Sequence, residues 1–363
     1  WLETMTFPAA TNLTRNDCYL AAMLGCMEGL HSGITTMLDY MYPHPTGELS
    51  DGVIDAMKEL GIRGILGRGC MNTGKQFGVH PGIMQDVDTI EKDLRRLFET
   101  YHNSEDGRIK IWVAPAAIWS NSKDLLQMLW RVTNEYKSGF TVHISETPFD
   151  RDAAQELHGL PDAEVLEDLG IVGPNVLMVH CCYLTDKDIA MAKKYDMKVS
   201  HDVCSNMYLA DGVAPVPEML RKGLTVGLGL DGAASNNSQD MIELMKCTAL
   251  QHKVATRDPL AMTAEKVLEM ATIGGARALK LDDKIGSLEI GKLADIIAVD
   301  LSGSHQTPTT DPVSAVVNTC SGADILMTMV NGTALYEKNK WNVGVEVARN
   351  IARIIEIRGK LRL

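Results

Sequence analysis

Four short stretches bring ionisable side chains to the ends of apolar runs. "HISE" carries His143 and Glu146, "VLMVHC" carries His180, "KVSHD" carries His201 and "TVGLGLD" runs into Asp231. Imidazole nitrogens and a carboxylate oxygen are the ligand types of Zn or Fe(II). A carboxyl group in a dry pocket holds its proton toward neutral pH, so Glu146 could pass a proton to a leaving group. Each residue alone has a plainer reading. A strand-end histidine is commonly a hydrogen-bonded structural group, and an aspartate before glycine commonly forms a turn. Histidines and an aspartate from separate strands, converging on one face, favour a metal site. His143 and Glu146 are three residues apart, which points them to opposite faces of a strand. If the strand ends near Ser145, Glu146 turns back over the pocket.

Those side chains converge only if a scaffold aligns them. Strands are expected at 33–40, 63–68, 109–115, 140–145, 176–181, 198–202 and 225–231, with helices near 15–30, 52–60, 86–102, 122–137, 161–169, 185–195, 215–222 and 239–254. Strands alternating with helices predict an α/β fold with a parallel sheet. At this length a (β/α)8 TIM-type barrel fits, with one strand missing from the count. Its active site would lie at the C-terminal strand ends. No Gly-x-Gly-x-x-Gly follows the first strand, which removes a dinucleotide fold. The barrel is expected over 1–290, a β-sandwich segment over 291–340, and a C-terminal segment over 341–363 holding a basic amphipathic helix from Val345 to Arg358.

Composition narrows the function. The 363 residues are 45% apolar and 23% charged, with a net charge of -12. An acidic chain argues against a nucleic-acid partner. No run of about 18 apolar residues predicts a membrane span. The chain opens on Trp1 without a signal-peptide pattern. Its eight cysteines form no Cys-x-x-Cys pair, which suits a reducing, cytoplasmic setting. The 20 methionines read as core filler. A small-molecule substrate and a homo-oligomer are expected.

Taken together, "HISE", "MVHCCYL", "VSHDVCSNMYLADGVAPV", "GLGLDGAASNN" and "IGSLEIGKLADIIAVD" resemble the amidohydrolase superfamily. The similar branch is the aminohydrolases: triazine hydrolases, guanine- and 8-oxoguanine-type deaminases, and adenosine-derivative deaminases. The resemblance covers nearly the whole chain. It implies a metal-dependent aminohydrolase acting on an amino-substituted nitrogen heterocycle such as a purine, pterin or triazine. It implies one divalent metal, Zn or alternatively Fe(II), with His143 and Asp231 as ligands. Asp231 would also take a proton from the attacking water. Glu146 would protonate the ring nitrogen, and His180 would bond the hydroxide or join the metal. Asn206, Ser235 and Asn236 would shape the pocket, or simply cap their loops. Arg68 could bind a ring oxygen or form a rim salt bridge. Trp119 could stack on the heterocycle or pack as core.

Two departures stand out. The superfamily takes two metal ligands from a His-x-His on its first strand, and none of the ten histidines here is two positions from another. The sequence reads as starting after that strand, which predicts poor metal affinity. The adenosine-type enzymes also carry a substrate-contacting His where "APAAIWSNS" places Ala116, which weighs against a nucleoside. A cyclic amide hydrolase is the enzymatic alternative; no strand here ends in a bridging Lys. A catalytically silent or truncated barrel is the other alternative.

Overall fold

The structure is a computed structural model that describes residues 2–342. Seven strands follow one another in chain order: β1 (Thr36–Met41), β2 (Arg63–Cys70), β3 (Ile109–Pro115), β4 (Phe140–Ile144), β5 (Val176–His180), β6 (Lys198–His201) and β7 (Thr225–Leu228). They form one sheet in that same order, and every pairing is parallel. β2 and β5 are buried along their whole length. Strands covered on both faces need no polar side, and β5 accordingly reads "VLMV" before His180, whereas β2 carries Arg63 and Arg68, each paired with an aspartate. This is the α/β half of a barrel fold expected from the sequence.

Each of the eight expected helices is present, within three residues at either end. Local chemistry explains several starts. Thr14 caps Arg15–His31 with Asp17 in a reciprocal box, and Thr185 caps Asp186–Lys194 with Asp188 in the same way. Further helices were not foreseen, among them Pro148–His158, Val203–Tyr208, Ala264–Glu269 and Pro312–Asn318. The first begins on a proline, which reads as a turn in sequence but is well suited to a first helical position. Its Thr147–Asp150 capping box completes that start. The methionines do fill the core: Met23, Met57, Met178 and Met219 are fully buried.

The expected strands run too long at their functional ends. β4 stops at Ile144 and β7 stops at Leu228, ahead of Asp231. Ser145, His180, Cys181 and Asp231 all have positive φ, between 48° and 67°. Such angles are uncommon for residues with a Cβ. They break the pleat and re-aim the side chains that follow.

A second sheet is antiparallel. β8 (Ile296–Val299), β9 (Ile325–Val330), β10 (Thr333–Glu337) and β11 (Lys340–Trp341) pair in the order β11-β10-β9-β8. Asn331 and Gly332 join β9 to β10, both at positive φ, as a tight hairpin turn requires. A buried ion pair, Arg63 to Asp295 at 2.9 Å, ties this region to β2. Thr328 also donates to the Leu30 carbonyl at 2.6 Å. The helix expected over Val345–Arg358 lies outside the described residues. Among the described residues, no helix is long and apolar enough to cross a membrane.

Candidate active site

A cavity of about 710 Å³ opens at the C-terminal ends of β3, β4 and β5. That volume suits a small organic ligand. His143, Glu146, His180 and Asp231 all line it, together with Trp119.

His143, one residue before the end of β4, sets its Nδ1 against the Ala116 carbonyl at 2.5 Å. A carbonyl only accepts, so Nδ1 carries the proton and Nε2 keeps a free lone pair. Burial, and next the charge on His180, push its pKa down to about 4. The two rings stack at 5.1 Å with 25° between their planes.

His180 behaves oppositely. It is 1% exposed, yet its pKa rises to about 9. Burial works against the charge, but Glu146, Asp202, Asp231 and Asn206 together outweigh it. Nδ1 donates to Asn206 Oδ1 at 2.8 Å, and Nε2 lies 3.6 Å from Glu146 Oε1. Burial pushes the Glu146 carboxyl up to about 8, and the His180 charge pulls it back only in part. An acid that keeps its proton near neutrality is poised to donate it.

Asp231 is exposed and lines the cavity. Burial raises its pKa, but the charge of His180, the Ser205 hydroxyl, His143 and the Gly232 N–H leave it below the ordinary carboxylate value. Ser205 Oγ donates to Oδ2 at 2.6 Å, and Gly232 N donates to Oδ1 at 2.6 Å. Upstream, Gly229 has no room for a side chain. A Cβ there would collide with the Asp202 carboxylate and the Ser200 hydroxyl.

The structure moves three expected residues. Arg68 is not on the rim. It is fully buried, donating to Asp93 at 3.0 Å, to the Gly69 carbonyl at 2.8 Å and to Gln85 at 2.8 Å. A guanidinium so committed cannot reach a ligand. His201 also turns away from the cavity, into a pair with His252 at 3.0 Å. Asn206 is 1% exposed and touches His180 instead of lining the pocket. Ser235 and Asn236 bond to Gly232 and Leu230 carbonyls and so cap their own loop. Trp119 does face the cavity. Its Nε1 donates to Asp150 at 2.8 Å, and its ring meets Phe149 at 5.3 Å and Phe77 at 6.0 Å.

Ser205, Asp202 and Asp211 were missed, although all three sit in the quoted "VSHDVCSNMYLADG". Their proximity to His180 or Asp231 depends on how the 203–208 helix packs, which no spacing rule reveals. Phe149 was missed because its helix was missed.

The donors do not complete a metal site. Among the described residues, no three His, Cys, Asp or Glu side chains are grouped to hold an ion. His143 Nε2 and the Asp231 carboxylate are donors of the right type. A catalytic zinc takes three protein ligands, and His180 is engaged by Asn206 and Glu146.

Comparison with known proteins fits this geometry. The amidohydrolase family pattern matches residues 1–335. A 5'-deoxyadenosine deaminase of Methanobrevibacter smithii is 35% identical over 342 residues, covering 94% of this chain and 75% of that protein. A 5-methylthioadenosine/S-adenosylhomocysteine deaminase of Thermoanaerobacter pseudethanolicus is 34% identical, covering 94% and 76%. The crystal structure of an adenosine deaminase from Xanthomonas campestris with bound zinc superposes with a TM-score of 0.92 at 24% identity, covering 100% and 79%. The chain belongs to the amidohydrolase family.

Proposed function

We propose that the chain is an aminohydrolase that removes the exocyclic amine of a 6-aminopurine carried on a 5'-modified nucleoside. The observation that carries the reading is the Glu146–His180 pair, 3.6 Å apart on the wall of one cavity. The relatives that deaminate adenosine derivatives support the choice of purine.

The chemistry follows from the side chains. Glu146 gives its proton to the ring nitrogen beside the attacked carbon. Asp231, held ionised by Ser205 and Gly232, takes one proton from the attacking water. Positively charged His180 stabilises the oxygen as negative charge develops on it. Asp231 then returns its proton to the departing amine, which leaves as ammonia. As the carbonyl forms, the hydroxyl proton restores Glu146. Trp119, with Phe77 and Phe149 packed edge-on around it, offers an apolar surface for the ring.

The test is ammonia release from 5'-deoxyadenosine, adenosine and a triazine, with and without added Zn(II). Release from the purine nucleosides is expected. No release from any 6-aminopurine overturns the reading. A second reading, a barrel that binds the heterocycle without turnover, is favoured by the absence of a three-donor group among the described residues. Metal-free protein that binds 5'-deoxyadenosine but releases no ammonia would select it.

A further inference from the structure

Glu146 can deliver a proton only if its carboxyl points into the cavity, and the residue before it in the chain sets that direction. β4 ends at Ile144, and Ser145 takes a φ of 48° before Glu146 begins. A residue with a Cβ holds such an angle only where its surroundings over-determine it. At Ser145 they do. Its N–H donates to Asp162 Oδ2, its Oγ donates to Asp162 Oδ1 at 2.8 Å, and its carbonyl accepts from the Tyr183 N–H at 2.9 Å. One carboxylate thus grips both the backbone and the side chain of Ser145. Asp162 and Ser145 are buried, at 1% and 0% exposure, and neither is among the described residues that line the cavity.

The grip calls for a carboxylate. Asp162 Oδ1 also accepts from the Ala163 N–H at 2.8 Å, so three donors converge on this side chain. An ionised carboxyl group only accepts, whereas an amide would turn an NH2 toward one of those donors. Arg151, on the helix that follows Glu146, stands 3.8 Å from Asp162 Oδ1 and donates to Ser145 Oγ at 3.2 Å. Its positive charge offsets the cost of burying the carboxylate. On the far side of Glu146, the Thr147 N–H donates to Asp150 at 2.7 Å. Both neighbours of Glu146 are therefore anchored, and Glu146 itself faces His180 at 3.6 Å.

We infer that Asp162 is a positioning residue of the reaction: it holds Ser145 in its left-handed conformation and so aims the Glu146 carboxyl into the cavity. The inference rests on the aminopurine reading and deepens it, by assigning a role in turnover to a residue off the cavity wall. A shift of about 1 Å at a reacting group can lower turnover by about 10²-fold, even when the substituted residue is far from the chemistry.

Ammonia release from 5'-deoxyadenosine by the full chain, measured with and without Glu146→Gln, tests this. Asp162→Asn should lower kcat about tenfold to a hundredfold and leave KM within about twofold. In the Glu146→Gln protein the same Asp162→Asn change should alter kcat by no more than about twofold, because the proton being aimed is gone. Ser145→Ala is the milder break, since it removes one donor and keeps the backbone bond to Asp162. It should lower kcat about threefold to tenfold, again only where Glu146 is present. Parental kcat in both variants, or an equal factor lost with and without Glu146, means that Asp162 serves the fold alone. Either result overturns the inference and leaves the aminopurine reading standing. A parent chain that releases no ammonia from any 6-aminopurine nucleoside brings down both together.

Discussion

His180 and His201 end neighbouring strands, and both are buried, at 1% and 0% exposure. Their chemistry is opposite. His180 is held charged, with a pKa raised to about 9, while His201 is pushed well below the ordinary histidine value. Burial opposes the charge in both. The partners decide. His180 faces Glu146, Asp202 and Asp231, whereas His201 faces only other imidazoles, His252 and, farther off, His180. Arg68 belongs with His201, as a charged group closed into the interior by Asp93 and Gln85. One region keeps polar groups open toward a cavity. The other consumes them in structure. Residue type and strand-end position do not separate the two.

The sharpest break in that contrast is Glu146→Gln. It keeps the shape and removes the proton, so ammonia release should fall by about 10²–10⁴-fold, while unfolding in urea is unchanged or shifted upward. Unaltered turnover would remove Glu146 from the chemistry. Arg68→Met should do the reverse. Asp93 Oδ2 and Gln85 Oε1 lose their donor in the interior, while Arg96 still holds Asp93 Oδ1, so the change should cost about 1–3 kcal/mol in urea unfolding, while the folded protein binds 5'-deoxyadenosine as before. A selective loss of binding without loss of stability would return Arg68 to the site.

Asn206→Leu tests whether His180 is positioned through its Nδ1. A hydrogen bond to a charged group contributes about 1.5–3 kcal/mol, so turnover should drop by roughly tenfold or more. The NMR titration of His180 should also move down from about 9. Because the folded pKa is raised, the stabilisation from His180 is fully present below the unfolded value of 6.5 and is lost as pH rises through about 9. His143 has the opposite sign. Its folded pKa is depressed to about 4, so its contribution is present above 6.5 and is lost as pH falls toward 4. A His143 ring that titrates above His180 would invert the assignment of the two.

His252→Leu carries the smallest expected effect. It orphans His201 Nε2 at a cost of about 1–3 kcal/mol, measured by urea unfolding, and should leave ammonia release unchanged. A matching loss of turnover would join the two regions into one functional unit.

Much of the fold was legible because its signals are local. The short run at 176–181 predicts a buried strand, and "DKDIAMAKK", with Ile189 and Ala192 inward and its lysines late, predicts a helix. The strand ends were less legible. Nothing in "HISE" or "GLGLD" announces that Ser145 and Asp231 adopt positive φ. Those angles are imposed by neighbours, such as Asp162 accepting from the Ser145 N–H.

The sequence by itself determined the order of strands and helices, the family and the set of ionisable residues at one rim. Those follow from periodicity and from motifs contiguous in the chain. Only the tertiary structure decided which of them meet. It paired His180 with Glu146, gave His201 to His252 and closed Arg68 behind Asp93. The physical reason is that protonation and hydrogen bonding depend on partners within a few ångströms, and here those partners come from other strands and helices, as Asn206 lies 26 residues from His180.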